Sequence, residues 1–121
     1  MTAILEVVEQ STGFAAGWHR VCAVEELELA WGEAALIAGR QVALFRTAPG
    51  EVFAVAHQDP ATGANVMARG IIGSRGARQT IASPLHKEVY DLQTGECFST
   101  PELRLATFAT RIVDGDVEVQ L

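Results

Sequence analysis

Short apolar runs separated by turn-forming residues set the pattern of this chain. Ile4 to Val8 opens it, and the polar stretch Glu9 to Gly13 breaks it. Trp18 to Val24 alternates as a strand does, and Val24 to Leu27 is either a connecting turn or one helical turn. Ala34 to Ala38 and Gln41 to Arg46 are apolar runs on either side of Gly39-Arg40, which predicts a hairpin. Pro49-Gly50 then turns the chain into Glu51 to Ala56, giving a three-stranded meander that delivers His57 to Asp59 at its end.

From Pro60 to Gln79 the pattern lapses. Gly63, Gly70, Gly73 and Gly76 interrupt it, with Val66, Met67, Ile71 and Ile72 as the larger apolar anchors, and the segment reads as a long surface excursion. Thr80 to Ala82 is a strand that Ser83-Pro84 ends, because proline lacks an N–H and holds its predecessor in extended geometry. Val89, Tyr90 and Leu92 make the next strand, Thr94-Gly95 its turn and Glu96-Cys97 its return. Thr107 to Val113 and Val117 to Leu121 form a last hairpin through Asp114-Gly115. The fold class expected is all-β.

Composition narrows the functional classes. A chain of 121 residues, 49% hydrophobic and 20% charged, suits one domain over residues 1–121 with its own core. A formal net charge of −6 opposes a nucleic-acid partner or an anionic membrane surface. No apolar run approaches about twenty residues and no export signal opens the chain, so a cytoplasmic address is expected. Cys22 and Cys97, the two cysteines, build neither a disulfide framework nor a four-thiolate metal site, and both are expected to be reduced and packed as small apolar groups. Gly70-Ile71-Ile72-Gly73 lacks the flanking strand and helix of a nucleotide loop, and no nucleophile motif or paired carboxylates stand out. An autonomous enzyme is therefore not expected.

The stretch Ala82-Ser83-Pro84-Leu85-His86-Lys87, continuing through Tyr90-Asp91-Leu92 to Thr94-Gly95-Glu96, resembles the second half of a Rieske iron–sulfur domain. There a Cys-Pro-x-His loop leads into an aromatic-Asp-Leu strand and a Thr-Gly-Glu turn. The first loop matches Asp59-Pro60-Ala61-Thr62-Gly63, with Asp59 standing where the family has cysteine and Ala61 where it has histidine. Ser83 takes the second cysteine position, and His86 alone keeps a ligand's chemistry. A cluster of this kind needs two thiolates and two imidazoles, so the resemblance implies a vestigial site. It also implies an antiparallel Rieske-like β-sandwich with short hairpins and two loops at one end. The 21 residues between Ala61 and Ser83 exceed the interval common among cluster-binding members.

Within the Rieske-like proteins, Trp18-His19-Arg20-Val21-Cys22, Gly39 to Arg46, Asp59-Pro60, Arg69-Gly70-Ile71-Ile72-Gly73 and Ala82 to Lys87 resemble the small subunit of assimilatory NAD(P)H-dependent nitrite reductase. That resemblance implies a non-catalytic accessory subunit of nitrate assimilation without a cofactor of its own. The large subunit would carry FAD, an iron–sulfur cluster and sirohaem, and would reduce nitrite to ammonium. A Rieske-type electron carrier is the alternative that the missing thiolates oppose, and a stand-alone binding module is the third. His57, Asp59 and His86 have the chemistry of a mononuclear site but no sequence feature that fixes their distance. Trp18, Trp31 and Phe45 read as core or interface residues. Arg69, Arg75 and Arg78 are a solvated surface or a docking patch for the large subunit.

Overall fold

Apolar runs that do not alternate, such as Val42-Ala43-Leu44-Phe45, belong to strands covered on both faces. The computed structural model of the protein describes residues 4–6, 17–85 and 87–121, and it puts these runs at the centre of the molecule. Eleven strands occur among the described residues: β1 (Ile4–Glu6), β2 (Trp18–Ala23), β3 (Gly32–Ile37), β4 (Arg40–Ala48), β5 (Glu51–Ala56), β6 (Ile71–Arg75), β7 (Arg78–Ala82), β8 (Val89–Asp91), β9 (Thr107–Phe108), β10 (Thr110–Val113) and β11 (Asp116–Gln120). A five-stranded sheet has the order β1-β3-β4-β5-β9, and two three-stranded sheets have the orders β10-β11-β2 and β6-β7-β8. β1 pairs with β3 in parallel, whereas the other strand pairs are antiparallel.

The five-stranded sheet is the shared middle layer. Ala35, Ile37, Val42, Leu44, Val52 and Ala54 pack with Val21, Cys22, Val117 and Val119 of the β10-β11-β2 sheet. The intervening residues Ala34, Ala43, Phe45 and Val55 belong to a second cluster with Met67, Ile81, Tyr90, Leu92 and Leu105. Period-two geometry sends alternate side chains to opposite faces, so an unbroken apolar run is what a two-faced strand requires. Complete enclosure of a side chain such as Leu44 or Phe45 contributes roughly 1.5–3 kcal/mol. The all-β expectation holds, and no helix among the described residues is long and apolar enough to cross a membrane.

Several local expectations need correction. The segment from Pro60 to Gln79 is not an irregular excursion: it contains the 3-10 turn Met67–Arg69, with Met67 and Ala68 buried, all of β6 and the start of β7. The meander turn lies at Ala38-Gly39, not Gly39-Arg40, since both residues have positive φ and Ile37 pairs with Arg40. The run from Thr107 to Val113 divides at Ala109: β9 joins β5, while β10 joins β11. Asp114-Gly115 is the closing turn as expected, with φ values of 50° and 81°. Val24–Glu26 is a 3-10 turn. Val7-Val8 and the polar break from Glu9 to Gly13 lie outside the described residues.

Candidate functional site

β5 releases the chain into a loop anchored by His57. The His57 carbonyl accepts the N–H groups of Val66 and Met67, both at 2.9 Å, and its ring Nδ1 accepts the Ala68 N–H at 3.1 Å. The imidazole thus satisfies an amide at the start of the 3-10 turn that burial would otherwise leave without a partner. Burial, and after it the Arg69 guanidinium, holds the His57 pKa below its ordinary 6.5. The ring is therefore neutral at pH 7 and Nδ1 remains an acceptor.

Two residues later the loop closes on itself around Asp59. Its N–H donates to the Ala64 carbonyl and its carbonyl accepts the Gly63 N–H, both at 2.7 Å. The carboxyl Oδ1 accepts the Ala61 N–H at 2.8 Å, the local turn that Asp side chains favour. Its other oxygen, Oδ2, accepts the Ser83 hydroxyl at 2.6 Å. Both side chains are buried. Ser83 follows β7, and its Oγ also accepts the Leu85 N–H at 3.3 Å. The two loops singled out in the sequence therefore meet through one buried hydrogen bond between residues 24 positions apart.

Of the four positions matched to ligands, Asp59 and Ser83 are joined, Ala61 contributes its backbone N–H, and His86 lies outside the described residues. His57 and Asp59, the remaining members of the imagined mononuclear site, have Nδ1 and both carboxyl oxygens bonded to protein donors. No group of three or more His, Cys, Asp or Glu side chains placed to hold a metal ion occurs among the described residues. The Cys22 thiol is buried, and its pKa is pushed up to about 11, chiefly by burial. Cys97 is buried too, and both cysteines are free.

Two further residues adjoin these loops: Tyr90, from the aromatic-Asp-Leu stretch, and Glu88, a loop position without a motif of its own. Tyr90 is wholly buried, and its hydroxyl has no hydrogen-bond partner among the described residues. Burial first, and the Asp59 charge second, raise its pKa and keep the phenol protonated. Glu88 ties the second loop to the segment beyond Cys97, accepting hydrogen bonds from Thr100 Oγ1 at 2.6 Å, Ser99 Oγ at 3.1 Å and Cys97 Sγ at 3.5 Å. Those donors, Thr100 foremost, lower the Glu88 pKa.

The three arginines have different surroundings. Arg75 and Arg78 are cross-strand partners whose guanidinium groups both lie 4.7 Å from the Phe98 ring centroid. Arg78 also donates to Asp91 at 2.6 Å and to Glu96 at 2.7 Å, so its charge is spent within the chain. Arg69 sits in the 3-10 turn beside a cleft of about 460 Å³ that Trp31 and Ile71 also line. Among the described residues it has no ion-pair partner.

Two measurements probe this geometry. Ser83→Ala leaves a buried carboxyl oxygen unsatisfied and is expected to cost about 1.5–3 kcal/mol in denaturant unfolding. The Asp59→Ala/Ser83→Ala pair is expected to cost less than the sum of the single changes, which is the signature of direct coupling. The second measurement concerns His57. Because its folded pKa is depressed, the unfolded chain takes up the proton first, so stability is complete above 6.5 and falls as pH drops through that value. His57→Asn keeps an acceptor near the Nδ1 position and removes the titration, so the difference in unfolding free energy between wild type and variant is expected to change from pH 7.5 to pH 5.5. A constant difference would reject the assignment.

Comparison with known proteins places this geometry in a family. Residues 17–120 match the Rieske-like [2Fe-2S] domain. The chain is 32% identical over 104 residues to the nitrite reductase (NADH) small subunit of Salmonella typhimurium, covering 85% of this chain and 96% of that one. The solution structure of the nitrite reductase [NAD(P)H] small subunit from Erwinia carotovora is similar with a TM-score of 0.76 at 29% identity, over 88% of this chain and 82% of that one. A stretch amounting to 11% of a nitrite reductase [NAD(P)H] large subunit from Klebsiella oxytoca is 29% identical to 84% of this chain. The chain belongs to the Rieske-like [2Fe-2S] domain family and, within it, to the nitrite reductase small subunits.

Proposed function

We propose that this chain, as a single domain over residues 1–121, is a cytoplasmic, non-catalytic accessory subunit that supports the large subunit of an NAD(P)H-dependent nitrite reductase in nitrate assimilation. The observation that carries this reading is the 2.6 Å hydrogen bond from Ser83 to Asp59. It joins the two positions where the family pattern has thiolates. A two-iron cluster needs soft thiolate donors on one iron and imidazoles on the other. Here the corresponding oxygen donors are bonded to each other, and Ala61 has no donor side chain. The residues present do not fit the cluster, and no step is assigned through one. The site is read as vestigial, with a polar contact holding the loops where a metal group would otherwise bridge them.

The large subunit as partner is supported by the Klebsiella oxytoca chain, in which a homologous stretch is part of a large subunit itself. Covalent linkage in one protein fits non-covalent pairing in another. FAD, an iron–sulfur cluster and sirohaem are assigned to that partner, and nitrite reduction with them. For this chain there remains a structural task, presenting a fixed surface to the partner and stabilising it.

Co-production with the large subunit from the same source tests the association. The expected result is co-elution in size-exclusion chromatography and a rise of several degrees in the melting temperature of the large subunit, as binding to the folded state requires. Separate elution with an unchanged melting temperature would count decisively against the accessory-subunit reading.

A further inference from the structure

β6 is an edge strand. Among the described residues its sheet has the order β6-β7-β8, and nothing pairs with the far side of β6. The hairpin turns over two residues, Gly76 and Ala77, with Arg75 opposite Arg78. In that register Arg75, Gly73 and Ile71 exchange hydrogen bonds with β7, whereas Ile72 and Ser74 direct their N–H and C=O groups to the open edge. An open edge is a template for another extended segment, and proteins commonly blunt such edges. Here Ile71 is 72% exposed on it.

Beside this edge lies the cleft of about 460 Å³ lined by Ala30, Trp31, Gly32, Arg69, Gly70 and Ile71, among others. Gly32 is fixed by packing: a Cβ there would fall 2.0 Å from the Ala68 carbonyl oxygen, so no side chain fits at this position. The aromatic wall of the cleft is held firmly. The Arg46 guanidinium donates to the Leu27 carbonyl at 3.1 Å, and the Ala30 N–H donates to the Arg46 carbonyl at 2.7 Å. Ala30 takes a left-handed φ of 60° just before Trp31, which remains 51% exposed. A large apolar side chain presented from a fixed backbone loses little entropy on binding and is typical of interface anchors. At the rim stands Arg69, a cation without an ion-pair partner among the described residues, on a chain of net charge −6.

We propose that the β6 edge and the Trp31–Ile71–Arg69 cleft form the docking surface for an extended segment of the large subunit. That segment adds a strand beside Ile72 and Ser74, seats an apolar side chain in the cleft and places a carboxylate on Arg69. Main-chain hydrogen bonds supply the affinity of such strand addition, and the cleft and the charge supply its specificity. The inference rests on the accessory-subunit reading and locates the contact on this chain's side of it.

The test titrates the purified large subunit with wild-type chain and with Ile71→Asp, Arg69→Glu, Leu85→Asp and Val113→Asp, each first shown by thermal melting to be folded. All four positions are exposed, so folding is expected to survive. Ile71→Asp and Arg69→Glu are each expected to weaken binding about tenfold or more, whereas Leu85→Asp on the second loop and Val113→Asp on β10 bind as wild type does. Wild-type chain that fails to bind overturns the subunit reading and this surface with it. Wild-type binding that Ile71→Asp and Arg69→Glu leave intact, or that only Leu85→Asp weakens, overturns the surface alone. Light scattering on the isolated chain supplies a further check. A dimer that Ile71→Asp converts to monomer would make a second copy of this chain the occupant and overturn the proposal; a monomer leaves the edge open for the large subunit, as expected.

Discussion

The buried hydrogen bond between Ser83 and Asp59 is the constraint on which the loop end of this molecule depends. It joins a loop that follows β5 of the central sheet to a loop that follows β7 of an outer sheet. Each loop is otherwise closed by its own backbone bonds, Asp59 with Ala64 and Gly63, Ser83 with Glu88 and Lys87. The side-chain contact sets how the two closed units sit against each other. A hydrogen bond to a charged or strongly polar group that is buried is costly to leave half-made, which is why so small a contact has influence here. Tyr90, with a protonated hydroxyl that feels the Asp59 charge, belongs to the same buried surroundings.

The layer arrangement explains why a polar contact is tolerated at this place. The central five-stranded sheet is covered on both faces, by β10-β11-β2 on one and by the cluster containing Met67, Ile81 and Tyr90 on the other. The β6-β7-β8 sheet contributes Ile81 and Tyr90 to that cover and carries Ser83 just past β7. Its opposite edge is β6, which among the described residues pairs only with β7. One outer sheet therefore bears both the buried loop contact and, among the described residues, an edge strand.

Much of this was legible in the residues, for identifiable reasons. The meander showed because its strands are unbroken apolar runs bounded by glycine turns, and the second loop showed because Ser83-Pro84 and Thr94-Gly95 punctuate it. The β6–β7 hairpin did not show: Gly73 and Gly76 with Ser74, Arg75 and Arg78 lack an apolar face, since only Ile72 turns inward on an edge strand. The division of the run from Thr107 to Val113 between two sheets leaves no mark in hydropathy. The arginines show the same limit. Sequence displays three cations close together, but that Asp91 and Glu96 neutralise Arg78 while Arg69 stands beside a cleft is decided by folding. Likewise, the sequence pattern sets Asp59 and Ser83 in two separate loops, whereas their direct contact depends on strands distant in the chain.

On the proposed reading, the Ser83–Asp59 hydrogen bond takes the place of a metal group between the two loops. The direct measurement is iron and acid-labile sulfide content, with a visible absorption spectrum, on the chain purified without oxygen. Near-zero iron and sulfide and no absorption beyond the aromatic band are expected. Stoichiometric iron and sulfide with visible bands would contradict the account, because a cluster would then be held by donors other than the ones described.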